Sequence, residues 1–199
     1  MAEHELSVGL SSDWLTPKSI FDQLRLTFDL DPAHPGRDNP FCVVPTRRIY
    51  TVDDDGLRQP WRGTVWMNPP FGGRRGHVPW LQRFFAHGNG IALVAARTSA
   101  DWFHAVVAPS AQTLLFPNGK TKFVRPADGS IGKEPGTGVV LIGMGVVANA
   151  ALERSGLGLF VRIRDAPYDG TDDFAKSLDE GYRAIRERVA AGGEGWTPK

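Results

Sequence analysis

Residues 63–73 read GTVWMNPPFGG, in which an apolar stretch runs directly into an amide, two prolines, an aromatic residue and two glycines. The apolar part suits a buried strand, and its carboxyl end is followed by Asn68, Pro69, Pro70 and Phe71. Two consecutive prolines fix two φ angles, remove two backbone donors and restrict the residue before them. The stretch therefore predicts a rigid platform that holds one amide and one ring at the end of a strand.

Strand and helix patterns alternate on both sides of this platform. Before it, we predict a helix over 17–27 with Thr16 as N-cap and Pro17 in the first turn, then strands over 28–31 and 48–52 separated by a loop over 32–46. The strand over 64–67 leads directly into the platform. After the platform, we predict a helix around 80–85, a helix capped by Ser99, and strands over 91–96, 113–116, 138–147 and 157–163. A closing helix would carry on one face Phe174, Leu178, Ile185 and Val189.

This order of elements predicts an α/β fold with a mostly parallel sheet. The late strands have no long helix predicted between them, so we expect an antiparallel hairpin at one edge. We expect a single domain over residues 13–190, flanked by flexible tails at 1–12 and 191–199.

The composition is that of a globular protein, with 199 residues, 41% of them hydrophobic and 23% charged. We find no apolar run close to the roughly 20 residues of a membrane helix, and the first residues lack the apolar core of a signal peptide. The single cysteine, Cys42, excludes an internal disulfide and fits a reducing cytoplasm. The five histidines have no metal-ligand spacing, so we expect no metal site.

Polar residues gather where predicted strands end or a helix begins, which is where ligands bind in open α/β sheets. They lie in four pieces of sequence: 16–17, 29–33, 53–57 and 68–71. Each of the first three also has an ordinary explanation as a turn, a solvated loop or a helix start. Small basic groups occur at 47–48, 74–75 and 120–125, and these are equally explained as solvated loops.

The Asn68-Pro-Pro-Phe71 motif resembles the [Asp/Asn/Ser]-Pro-Pro-[Tyr/Phe/Trp] signature of S-adenosylmethionine-dependent methyltransferases that modify exocyclic or amide nitrogen. More of the chain, over 13–145, resembles the phage-type (Dam-like) DNA N6-adenine methyltransferases. The resemblance is carried in order by DWLTP (13–17), LDPA (30–33), DDGL (54–57), VWMNPPF (65–71), AART (95–98) and FPNGKTKF (116–123). It implies a Rossmann-like methyltransferase domain, although the DPAHPG stretch at 31–36 stands in place of the usual Gly-x-Gly turn. Only 37 residues separate Asp31 from Asn68, which predicts a shortened cofactor-binding half.

The resemblance also implies roles for individual residues. The catalytic group would be Asn68, Pro69, Pro70 and Phe71. Contacts to S-adenosylmethionine would come from Thr16, Pro17, Asp31, Pro32, Asp54 and Asp55. Contacts to double-stranded DNA would come from Arg74, Arg75, Lys120, Lys122 and Phe123, the last as a second aromatic wall for a flipped base.

The resemblance further implies a protein of the bacterial or phage-infected cytoplasm, where restriction-modification is one role for DNA methylation. Cytosine N4 is an alternative acceptor with the same amine geometry, and the motif alone also admits RNA or a protein amide. A catalytically inactive DNA-binding relative is the alternative from another class. The sequence leaves the oligomeric state open.

Overall fold

A computed structural model describes residues 14–70, 76–132 and 137–163, which form one mixed sheet with helices packed on it. Its strands are β1 (Phe28–Asp31), β2 (Thr46–Ile49), β3 (Val65–Met67), β4 (Gly90–Ala95), β5 (Thr113–Pro117), β6 (Val139–Met144) and β7 (Gly158–Arg162). Its α-helices are α1 (Lys18–Leu24), α2 (Val78–His87) and α3 (Val146–Arg154), with a 3₁₀ turn at Val52–Asp54 and a π-helical segment at Phe103–Val107. No helix in these ranges is long and apolar enough to cross a membrane.

The sheet has a parallel half and an antiparallel half. Its order is β2-β1-β3-β4-β6-β5-β7. The strands from β2 to β4 are parallel neighbours, whereas β4–β6, β6–β5 and β5–β7 are antiparallel pairs. The α/β class is therefore confirmed, but antiparallel pairing extends well beyond the single edge hairpin that the sequence predicted.

Helix α3 is the main difference from the predicted elements. A single strand was predicted over 138–147, but β6 ends at Met144 and α3 begins two residues later. Gly145 separates the two elements, and its positive φ of 83° is one that glycine adopts readily. Val146 and Val147 are exposed in the first turn, so their apolar character is not a sign of strand burial. The expectation of no helix between the late strands is therefore wrong, because a nine-residue helix lies between β6 and β7.

Two apolar clusters cover opposite faces of the sheet. In β4, Ala92 and Val94 belong to one cluster, while Ile91 and Leu93 belong to the other. Every residue of β6 is buried. Central strands covered on both faces are apolar at nearly every position, which explains why β4 and β6 could be predicted from uninterrupted apolar runs.

Three element boundaries were predicted wrongly in the first part of the chain, at the two ends of α1 and at β2. Pro17, not Thr16, is the N-cap residue of α1, and it makes no side-chain capping bond. The helix also ends early, at Leu24, because Arg25 adopts a left-handed conformation with φ 49°. The strand predicted over 48–52 is instead β2 at Thr46–Ile49, and the residues after it form a 3₁₀ turn capped by Thr51 and Asp54.

The helix expected after Ser99 is a short helical segment that begins at residue 101 and is π-helical over Phe103–Val107. Phe103, Val106 and Val107 are buried as predicted, while Trp102 is half-buried. The predicted tails and the closing helix with Phe174 to Val189 lie outside the described residues, so the domain boundaries remain predictions.

Candidate active site

A cavity of about 560 Å³ opens at the carboxyl ends of β1 and β3. This size lies within the range of small-molecule sites, and the position is where ligands bind in parallel sheets. Its wall comes from four separate stretches of chain: 14–16, 31–35, 51–56 and 68–70. The structure thus brings together seven of the residues that the sequence singled out: Thr16, Asp31, Pro32, Asp55, Asn68, Pro69 and Pro70.

Asn68 lines this cavity and carries a side-chain oxygen that has no partner among the described residues. It follows β3, whose three residues are all buried. Its Nδ2 donates to the main-chain carbonyl of Trp14 over 3.1 Å. Among the described residues its Oδ1 has no hydrogen-bond partner, although the atom is buried. Because an unsatisfied buried acceptor costs about 1–3 kcal/mol, this oxygen is a strong candidate for contact with a ligand donor.

Thr16 supplies a second unpaired polar atom. Its side chain is 3% exposed and lines the cavity, and its Oγ1 has no partner within the described part of the chain. The main chain before it is fixed, because Leu15 and Val124 exchange two hydrogen bonds of 3.0 and 2.9 Å. Thr16 is therefore a hydroxyl held at the cavity wall by its neighbours, and it is not a helix cap.

Asp31 places a carboxyl group at the end of β1. It is 3% exposed, and its Oδ1 accepts the backbone N–H of Ala33 over 3.0 Å. Burial raises the pKa of Asp31 to about 7, and the bond from Ala33 opposes the shift. A ligand that brings an ammonium or hydroxyl donor to this carboxyl would favour the ionised form.

Asp54 and Asp55 have different roles, although both were predicted to contact a cofactor. Asp54 Oδ2 accepts the backbone N–H and the hydroxyl of Thr51 over 2.8 and 2.9 Å, and these bonds lower the pKa of Asp54. Asp55 adopts a left-handed conformation at φ 52° and lines the cavity, with Arg58 3.2 Å from its carboxylate. Of the two, only Asp55 is among the lining residues, because Asp54 closes the capping box of the 3₁₀ turn.

His34 and Cys42 line the cavity but were not predicted as site residues. The N–H of Gly36 donates to His34 Nδ1 over 3.0 Å, so Nε2 carries the proton of the neutral ring and faces Cys42 Sγ at 3.3 Å. Burial lowers the pKa of His34 and raises the pKa of Cys42 to about 11. Both side chains are therefore neutral near pH 7. Within 14–70, 76–132 and 137–163, no group of His, Cys, Asp or Glu side chains is arranged to hold a metal ion.

Tryptophan rings form a further part of the wall that the sequence did not predict. Trp14, Trp66 and Trp80 all line the cavity, and Trp80 stacks on Trp61 with ring centroids 6.3 Å apart. Such faces can hold a planar aromatic ligand. The sequence did carry a signal for these rings, because Trp14 and Trp66 each lie two positions before a polar stretch that forms part of the wall.

The residues predicted to contact DNA lie in several places. Lys120 and Lys122 are exposed beyond the carboxyl end of β5. Phe123 is 7% exposed and packs in the core cluster that contains Phe28 and Leu141, which places its ring among core residues. The prediction that Phe123 stacks on a base has no support from this placement. Phe71, Arg74 and Arg75 lie outside the described residues.

Comparison with known proteins gives one match. The family model described as DNA N-6-adenine-methyltransferase (Dam) matches residues 5–144, which include every strand from β1 to β6. No curated protein and no solved structure matches the chain.

Proposed function

Because this chain belongs to the Dam family of DNA N-6-adenine methyltransferases, we propose that it transfers a methyl group from S-adenosylmethionine to the N6 amine of adenine in double-stranded DNA. The observation that carries the proposal is that Asn68 lines the cavity and that its Oδ1 has no hydrogen-bond partner within the described part of the chain. Such an oxygen can accept a hydrogen from an exocyclic amine. The Rossmann-like description of the domain belongs to the same proposal, and the parallel half of the sheet supports it.

The cavity wall fits S-adenosylmethionine chemically. Thr16 Oγ1 is a buried hydroxyl with no partner in the described ranges, and Asp31 and Asp55 add carboxylates that can accept bonds from hydroxyl or ammonium groups. The tryptophan faces suit an adenine ring. Thr16, Asp31, Pro32 and Asp55 would hold the cofactor, which supplies the electrophilic methyl group when bound. Pro17 and Asp54 would act indirectly, since Pro17 is the N-cap residue of α1 and Asp54 closes the capping box of the 3₁₀ turn.

The platform after β3 would orient the acceptor nitrogen. An exocyclic amine on a purine is a weak nucleophile, because its lone pair is delocalised into the ring. Asn68 Oδ1 and the main-chain carbonyl of Pro69 can each accept one amine hydrogen, which favours a pyramidal nitrogen with its lone pair directed at the methyl group. No strong base is required, because positioning and electrostatic complementarity lower the barrier. Pro69 and Pro70 make these acceptors rigid.

The target base would have to leave the duplex to reach Asn68. We propose that Phe71 stacks on the extruded base, a contact worth about 1–3 kcal/mol, comparable with the cost of unstacking. Arg74, Arg75, Lys120 and Lys122 would contact phosphates, which position the duplex without reading its sequence. The exposure of the two lysines beyond β5 supports their part in this arrangement.

Product identity tests the proposal directly. Purified protein is incubated with duplex DNA and S-adenosylmethionine, and the DNA is digested to nucleosides for mass spectrometry. The expected product is N6-methyl-2′-deoxyadenosine. An N4-methylcytosine product would overturn the adenine assignment. No methylated base, together with no calorimetric binding of the cofactor, would instead indicate an inactive DNA-binding relative.

Asn68→Ala provides the matched control for this experiment. Loss of the Asn68 side chain should abolish methyl transfer, because the amide oxygen would bind the acceptor amine. The affinity for the cofactor should stay close to that of the wild type. If cofactor binding were lost instead, Asn68 would be a structural residue.

A further inference from the structure

A small patch of paired main chain lies beside the Asn68 amide, outside the seven-stranded sheet. Leu15 and Val124 form one antiparallel bridge, and Val124 and Ile131 form a second. The N–H of Gly132 donates to the carbonyl of Phe123 over 2.8 Å, and the N–H of Arg125 donates to that of Ser130 over the same distance. We call this patch, formed by residues 15, 123–125 and 130–132, the ladder. It links the start of the described chain to the segment after β5.

Trp14 lies between the ladder and the catalytic amide. Its main-chain carbonyl accepts the Nδ2 hydrogen of Asn68. Its ring lies against Gly132, where a Cβ atom would clash with Cζ3 and stand 2.8 Å from Cη2. The ring of Trp14 therefore fills the space that a side chain at position 132 would need. Any group added at position 132 pushes on Trp14, whose carbonyl is bonded to Asn68.

The Trp14 carbonyl decides which end of the Asn68 amide faces the cavity. An amide group can present either NH₂ or oxygen, and only the oxygen accepts a hydrogen from an incoming amine. A carbonyl attracts the NH₂ end and repels the oxygen, so Asn68 turns its Oδ1 away from Trp14. The Oδ1 atom is buried and has no hydrogen-bond partner among the described residues, so no other described contact opposes this choice.

We infer that Gly132 and Trp14 are positioning residues for methyl transfer, which act by holding the Asn68 amide in its accepting orientation. This role rests on the proposed function. It also connects the proposed DNA-contacting segment with the reaction, since Lys120 and Lys122 directly precede the ladder. Just after the ladder residue Arg125, the carbonyl of Pro126 accepts a hydrogen bond of 3.2 Å from Asn39 Nδ2, in the loop between β1 and β2.

Gly132→Ala tests this role, with Gly138→Ala as the matched control. Neither glycine has a left-handed φ, and an added Cβ at Gly138 meets no atom within 4 Å. The single-turnover methylation rate is measured with DNA and S-adenosylmethionine both saturating. We expect Gly132→Ala to slow this step at least about tenfold, because small displacements of reacting groups are costly. The dissociation constants for cofactor and DNA should stay within about twofold of the wild type, and Gly138→Ala should react at the wild-type rate.

The same Gly132→Ala substitution, made in a protein that also carries Trp14→Phe, distinguishes a positioning role from a general loss of structure. Trp14→Phe removes Cζ3 and Cη2, the two atoms nearest to an added Cβ, and leaves the Phe123 carbonyl oxygen 3.3 Å from it. Relative to the W14F protein, the double variant W14F/G132A should lose less than about twofold in rate, because the clash is gone. An equal loss in both backgrounds would overturn the inference.

The remaining outcomes are also decisive. If Gly132→Ala reacts as fast as Gly138→Ala while the wild type methylates DNA, the inference is overturned and the proposed function stands. The inference is also overturned, and the proposed function stands, if weaker binding of the cofactor accounts for the whole loss in rate. A wild type that transfers no methyl group to DNA overturns both.

Discussion

The side-chain amide of Asn68 donates to the main-chain carbonyl of Trp14 over 3.1 Å, although 54 positions separate the two residues in the sequence. The bond uses the nitrogen of the amide and leaves its oxygen for a ligand. The position after β3 therefore requires a side chain with both a donor and an acceptor, which asparagine has and a carboxylate lacks.

Asn68→Asp tests that requirement. Aspartate keeps the oxygens but has no hydrogen to donate, so a carboxylate would face the Trp14 carbonyl without a bond. We expect the transfer rate to fall at least about tenfold and the free energy of unfolding to fall by about 1–3 kcal/mol. Radiometric methylation assays and urea unfolding measure the two effects. If the transfer rate and the free energy of unfolding both matched the wild type, the bond to the Trp14 carbonyl would not require an amide at position 68.

Thr16→Val removes the unpaired hydroxyl and keeps the shape of the side chain. Because Oγ1 is buried without a partner among the described residues, its loss should leave the free protein as stable as the wild type or about 1 kcal/mol more stable. The affinity for S-adenosylmethionine should fall about tenfold, since the ligand loses one hydrogen bond. Thermal unfolding without ligand and calorimetric titration with it give the two values. Unchanged affinity would remove Thr16 from the cofactor site.

Asp31→Asn should change the pH dependence of stability. The pKa of Asp31 is about 7 in the folded protein against 3.8 unfolded, so between these values the folded state holds a proton that the unfolded state has released. Stability from this group is therefore present below pH 4 and is lost as the pH rises to 7. At 1.36 kcal/mol per pKa unit, the variant should gain up to about 4 kcal/mol over the wild type across this window. Urea unfolding at several pH values measures the difference, and a constant difference would contradict the prediction.

Phe123→Ala distinguishes a core residue from a base-stacking residue. The ring is 7% exposed and belongs to a core cluster, so its truncation should lower the free energy of unfolding by about 3–5 kcal/mol. Calorimetric melting of the free protein checks this. A variant that melts like the wild type but methylates duplex DNA slowly would restore the stacking role.

Lys120→Ala tests the phosphate contact proposed beyond β5. Removing one such contact should weaken DNA binding uniformly across sequences and reduce the slope of log affinity against log salt by about 1. Fluorescence anisotropy at several salt concentrations provides both values. Arg162→Ala is the charge-matched control, because Arg162 pairs with Thr113 at the opposite end of β5 from the cavity. Equal slopes for the two variants would exclude the contact.

The sequence predicted those parts of the molecule that local patterns determine. The apolar run of β4 and the prolines after β3 act through burial and backbone restriction, which are visible in short stretches. Helix α3 was missed because Val146 and Val147 extend the apolar run of β6, and periodicity does not separate strand from helix in such a run. Asp54 was assigned to a ligand because its bonds to Thr51 depend on a turn that the spacing does not reveal.

The tertiary contacts at the site could not be predicted at all. Nothing near Asn68 in the sequence indicates that Trp14 will supply its bonding partner, and nothing near Gly132 indicates the ring that fills its side-chain space. These contacts arise only when distant segments meet at one edge of the sheet. The family match supports the order of the motifs, whereas the roles of individual residues remain predictions.

The contact between Cys42 and His34 makes this protein well suited to site-specific labelling. The only thiol of the chain is half-buried, and its raised pKa keeps it protonated near neutral pH, so it reacts slowly with maleimides. A cysteine introduced on the exposed surface beyond β5 would then take a fluorophore selectively, without removal of the native residue. Time-resolved fluorescence from that position would follow the approach of a duplex to the cavity in real time.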